Sequence, residues 1–127
     1  IRGVDAELAL WGEHAIKGTW GAQVVEALKP QEGDYVVEKR RYSAFFATDL
    51  DLLLRELGVD TLILTGLVTN VCVQHTAADA YFRGYRLVVV SDACEALTAE
   101  EHEAALDYMR RVYGAEVKTA EQVMAEL

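Results

Sequence analysis

The chain has 127 residues, a length that predicts one domain over 1–127, since domains commonly run about 100 to 200 residues. Apolar residues make up 52% of it and charged residues 26%, with one proline and no low-complexity tract, which excludes disorder as the main state. Acidic residues outnumber Lys plus Arg by 21 to 12, the wrong sign for a nucleic-acid partner, and the apolar runs 61–68 and 87–90 fall far short of the roughly 18 to 20 residues that cross a membrane.

Residue 1 is isoleucine, and the opening stretch IRGVDAELALWGEH shows no cap or turn signal. Residues 22–28 read as a short helix ending before Lys29-Pro30. Residues 34–39 follow Glu32-Gly33 and are β-rich, which predicts a strand after a turn. Leucines at 50, 53, 54 and 57 have the spacing of a one-sided helix, and Gly58 stops it as a C′ residue does. The run 60–66 then reads as a parallel strand covered on both faces. A helix over 69–82 ended by Gly84, a strand over 85–91, a long amphipathic helix over 98–113 and a short strand over 115–118 complete the pattern. Four strands alternating with helices specify βαβ units, hence an α/β fold of three layers, α-β-α, around a mostly parallel, Rossmann-like sheet.

Ligands of open α/β sheets bind beyond the carboxyl ends of the strands. Three such ends carry reactive residues: Lys39, the stretch 66–72, and 91–94. Cys72 falls in the first turn of the helix from Thr69, where the macrodipole and unpaired N–H groups favour a thiolate, and those N–H groups, with that of Val68, can hold an oxyanion. A cysteine there is equally a small buried hydrophobe. Lys39 leaves its strand on the ligand side and can stabilise a neighbouring thiolate, although Lys39-Arg40-Arg41 also reads as a solvated charge run. Asp92 reads as a loop or cap residue with Cys94 packed beneath it. His14 is a metal ligand, an acid–base group or a plain loop histidine. His75 sits three residues past Cys72 on a neighbouring helical face, a poor geometry for a dyad, and His102 is expected to face solvent. No CxxC pair is present, so Cys72 and Cys94 read as free thiols of a reducing, cytoplasmic compartment.

Three stretches in this order carry a resemblance: His14-Ala-Ile-Lys-Gly18-Thr19-Trp20-Gly21-Ala22, then Glu38-Lys39-Arg-Arg-Tyr42-Ser43-Ala-Phe45, then Gly66-Leu-Val-Thr-Asn-Val-Cys72-Val-Gln-His-Thr-Ala-Ala-Asp79-Ala80. Through nearly its whole length the sequence resembles the isochorismatase-like cysteine hydrolases, a family that includes nicotinamidases and the N-carbamoylsarcosine and ureidoacrylate amidohydrolases. The resemblance implies Cys72 as nucleophile, Lys39 as catalytic lysine, a cis Leu67–Val68 peptide, and an oxyanion hole at Val68 and Cys72. It places Trp20, Tyr42 and Phe45 at a substrate pocket. His14 falls where the nicotinamidase branch binds a divalent metal such as zinc, but Ala15 stands where that branch often has cysteine.

Family members also carry a first strand ending in a general-base aspartate, and the metal-using branch an Asp-x-His pair, neither of which occurs in residues 1–127. The resemblance thus implies that about 50 to 60 upstream residues accompany this sequence in the functional protein. The expected activity is cleavage of a small amide C–N bond through a thioester, with no cofactor required for the chemistry, in a homodimer or homotetramer. The alternatives are vinyl-ether hydrolysis of the isochorismatase type and a catalytically silent scaffold or ligand-binding member of the fold.

Overall fold

Residues 5–127 are described by the computed structural model, in which the chain divides into two units, Ile1–Val36 and Val37–Leu127. In the first unit the described residues form helix α1, Asp5–Trp11, and two 3-10 turns, Trp20–Ala22 and Glu26–Leu28. The helix expected over 22–28 is therefore broken. Val24, Val25 and Leu28 are exposed, so no apolar face is buried to hold so short a helix, and Val25 and Lys29 are extended, the latter directly before Pro30. The strand expected over 34–39 is likewise absent: these residues join no sheet among the described residues. β-propensity makes a strand only where a neighbour completes the ladder.

In the second unit, helix α2, Leu50–Glu56, turns Leu50 and Leu54 toward the core, and Gly58, at φ +68°, supplies the left-handed residue that ends it. Strands β1 (Thr61–Leu67), β2 (Arg86–Glu95) and β3 (Glu116–Lys118) form one parallel sheet in the order β1-β2-β3. Among the described residues, three strands stand where four were expected. Between β1 and β2 run a π-helical turn, Thr69–Val73, and helix α3, Gln74–Phe82. Helix α4, Ala99–Tyr113, connects β2 to β3, and α5, Ala120–Glu126, follows.

Leu87 and Val89 of β2 pack with Val73, Ala77, Ala80, Leu106 and Met109, so α3 and α4 share one sheet face. β1 departs from the expected two-sided burial. Leu62 and Leu64 pack against the core, whereas Ile63 is 45% exposed and Leu67 69%. Its residues alternate as on a strand with one covered face.

α1 and α5 were not anticipated. α5 is announced by a capping box: the Thr119 hydroxyl accepts the Gln122 N–H, and the Gln122 side chain accepts the Thr119 N–H. Asp92 caps the same helix by accepting the Ala120 N–H at 2.7 Å, as its reading as a cap residue expected, although it lies on β2.

Met109 is fully buried, and Met109→Ala should cost about 2 to 5 kcal/mol of unfolding free energy in urea denaturation. Thr119→Ala removes a single cap and should cost about 0.5 to 2 kcal/mol by the same measurement.

Candidate active site

The carboxyl end of β1 is where backbone geometry becomes irregular. Gly66 sits at φ +123°, a region that L side chains avoid, at the point where the β1–β2 register slips between Leu64 and Gly66. The Leu67–Val68 peptide is cis, as the resemblance implied. The chain then winds into the π-helical turn Thr69–Val73, so the helix anticipated from Thr69 starts with one wider turn, and that turn carries Cys72.

Thr69 anchors this turn from behind. Its side chain is fully buried, and its hydroxyl is hydrogen-bonded to Nδ1 of His102 on α4 at 2.8 Å. His102, expected to face solvent, is instead half-buried and occupied in the interior. Local sequence carries no sign of this inward turn, because its partner Thr69 lies 33 residues away.

Cys72 is half-buried, and the Lys39 ammonium donates toward its sulfur across 3.6 Å while also donating to the Arg41 carbonyl at 3.0 Å. A sulfur acceptor is large and diffuse, so this separation is a contact between the ammonium and the thiol sulfur. Both residues border a cleft of about 480 Å³ lined on its other sides by Phe45, Leu50, Leu54, Thr76 and β1 residues 62–67. Among the described residues, the lining holds one cation and no carboxylate.

Cys94 differs in kind. It is buried, its sulfur is directed at the Leu64 carbonyl at 3.9 Å, and burial pushes its thiol above the ordinary range, against the smaller effect of a backbone hydrogen bond from Gly66. His75 forms no dyad with Cys72: its Nδ1 donates to the Val71 carbonyl at 2.6 Å, and its ring lies 5.6 Å from that of Tyr42.

Of the residues expected at a substrate pocket, Phe45 borders the cleft with one face while packing in the core, at 5% exposure. Tyr42 stands against His75 and does not line the cleft. Trp20, in the first unit, is 87% exposed. His14, in the same unit, donates from Nδ1 to the Gly12 carbonyl at 2.9 Å and faces Glu7 with Nε2 at 3.7 Å. One imidazole and one carboxylate do not make up the three or four ligands of a metal site, and no group of three or more His, Cys, Asp or Glu suited to an ion occurs among the described residues.

The sequence reading assigned no role to Ser43, Thr76, Asp79 and Arg83. The Ala44 N–H donates to the Thr76 hydroxyl at 3.0 Å, the Ser43 hydroxyl donates to the Asp79 carboxylate, and Arg83 pairs with Asp79 at 3.0 Å. The available signal was spacing, since Thr76, Asp79 and Arg83 follow Cys72 at intervals of four, three and four residues, one stripe of a helix.

An isochorismatase domain matches residues 3–122 of the sequence. The chain belongs to the isochorismatase family. It is 44% identical over 106 residues to the ureidoacrylate amidohydrolase RutB of Klebsiella pneumoniae, covering 83% of this chain and 45% of that protein. The crystal structure of an N-carbamoylsarcosine amidase from Thermoplasma acidophilum superposes with a TM-score of 0.81 at 47% identity, over 91% of this chain and 65% of the other. An isochorismatase-like hydrolase from Alkaliphilus metalliredigens gives a TM-score of 0.88 at 43% identity, over 98% and 68%. The chain spans about half the length of the curated relatives it matches.

The Thr69–His102 bond predicts that Thr69→Val, which keeps the shape and removes the hydroxyl, lowers stability by about 1 to 3 kcal/mol in urea titrations. Thr69→Ser should lose less, because it retains the hydrogen bond.

Proposed function

We propose that the protein carrying this chain is a cysteine hydrolase that cleaves a small amide C–N bond through a thioester. The observation that carries the reading is the meeting of the Lys39 ammonium and the Cys72 sulfur, 3.6 Å apart, at a cleft bordered by the turn after β1. Amide-cleaving relatives with whom the chain shares 44% and 47% of its aligned residues support the choice of bond.

In this reading the thiol loses its proton and the Cys72 thiolate attacks the substrate carbonyl, while Lys39 favours the charged sulfur. The backbone N–H groups of Val68 and Cys72 receive the negative charge that develops on the carbonyl oxygen. The C–N bond then breaks, the amine leaves with a proton, and water hydrolyses the thioester to release the acid and restore the thiol. The resemblance gives the proton-transfer role to an aspartate on the family's first strand. None of the described cleft-lining residues is a carboxylate, so that role is assigned to no residue of this chain.

Phe45 forms part of the apolar wall against which a small substrate rests. His14 as the ligand of a metal such as zinc is not part of the proposal, since its described neighbours do not fit one, and no step passes through a metal. The reading includes a cytoplasmic homodimer or homotetramer that acts on a small molecule and binds neither nucleic acid nor membrane. No helix among the described residues is long and apolar enough to cross a membrane.

The test is an assay of the protein against ureido, carbamoyl and nicotinamide-type amides, with ammonia release as the readout and isochorismate with pyruvate release as the contrasting arm. Ammonia should appear, and Cys72→Ala should lower its rate by at least about 10³-fold and abolish the acyl adduct seen by intact-protein mass spectrometry. Undiminished turnover in Cys72→Ala, or pyruvate as the sole product, would overturn the proposal.

A further inference from the structure

We infer that Asp79 is a positioning residue that holds Lys39 beside Cys72, an inference that rests on the pairing of those two residues in the proposed mechanism. Lys39 is exposed, and its segment has no ladder to place it. Its location is set a few residues later, where the chain locks onto the same helical stretch that carries the thiol.

Five contacts make the lock. The Ser43 hydroxyl donates to one Asp79 oxygen and accepts the Phe45 N–H at 3.2 Å, which closes the turn around residue 44. The Ala44 N–H donates to Thr76, one helical turn before Asp79. Arg83 pairs with the second Asp79 oxygen at 3.0 Å, and its guanidinium lies over the Phe45 ring at 4.9 Å from the centroid. Asp79 thus joins both halves of the lock, the hydroxyl of Ser43 and the cation that covers Phe45. Ser43 is 7% exposed, so its hydroxyl depends on this partner in place of water.

Each position of the stripe has a partner in residues 39–45. Lys39 meets Cys72, Ala44 meets Thr76, Ser43 meets Asp79 and Phe45 meets Arg83. Loss of the Asp79 carboxylate leaves the buried Ser43 hydroxyl without its acceptor and Arg83 without its ion pair, although the carbonyl of residue 79 still accepts from Arg83 at 2.8 Å. The turn is then free to lift, and the lysine leaves the sulfur.

The test reads the cation at the sulfur directly. In the full chain, alkylation of Cys72 is followed by peptide mass mapping, which separates it from Cys94, using neutral iodoacetamide and the anionic, similarly sized iodoacetate. A change in thiol exposure alters both rates together, whereas a nearby ammonium favours the anionic reagent, so the ratio of rates reports Lys39. That ratio should fall about two- to five-fold in Lys39→Ala at low salt. It should fall by the same factor in Asp79→Ala and in Ser43→Ala, and no further in the double variant Lys39→Ala/Asp79→Ala.

A fall in Lys39→Ala with an unchanged ratio in Asp79→Ala and Ser43→Ala overturns the positioning role and leaves the Lys39–Cys72 pairing standing. An unchanged ratio in Lys39→Ala overturns the pairing and, with it, the role given to Asp79. Ser43→Ala removes a single oxygen, and it decides the matter if circular dichroism shows that Asp79→Ala does not fold.

Discussion

The chemistry proposed for this protein depends on a contact between two side chains 33 residues apart, one of which sits on a segment without regular structure. A lysine on an exposed loop ordinarily spends its charge on solvent, because its flexible stem loses entropy when held in one place. Here the backbone a few residues downstream is pinned to the turn and helix that carry the thiol. The pinning combines a buried hydroxyl, a carboxylate, a backbone N–H and an aromatic ring beneath a guanidinium. Burial of Phe45 in the core holds that end of the segment, while the hydrogen bonds set its register along α3.

The thiol itself is held from the opposite direction. β1 ends in a glycine with positive φ and a cis peptide, the chain enters a π-helical turn, and the fully buried Thr69 at its start is tied to His102 on α4. The turn therefore has one attachment to the sheet and another to a helix that packs on it. The two cysteines show what position alone accomplishes. Cys72, at the mouth of the cleft, meets a cation, whereas Cys94, buried along β2, meets a carbonyl oxygen, and burial disfavours its ionisation.

Much of the parallel sheet and its helices was legible in the chain because local rules converge there. The leucine spacing over 50–57 with Gly58 after it, the apolar strands, and the amphipathic stretch closed by Gly114 each have a local physical cause that tertiary packing does not oppose. The failures share a different cause. Residues 34–39 have strand composition and join no sheet among the described residues, and residues 22–28 have helix-compatible composition and no buried face. Composition over six or seven residues does not report whether a neighbour exists. α5 is an opposite case, since Thr119 and Gln122 spell out its capping box in the sequence itself.

The proposed reactive pair, Cys72 and Lys39, is singled out by the resemblance of ordered motifs, since residue types alone leave the thiol equally a buried hydrophobe and the lysine part of a charge run. What holds them is another matter. Asp79, Ser43 and Thr76 are ordinary polar residues whose importance arises only when two distant segments lie side by side, and His102 gains its partner in the same way. The sequence by itself determined the family, the succession of helices and parallel strands from α2 to β3, and the thiol that stands after β1, since these rest on local pattern and intrinsic chemistry. Only the tertiary structure decided which polar groups meet across 32 to 36 residues of chain, because hydrogen bonds act over about 3 Å and nothing in linear order encodes that distance.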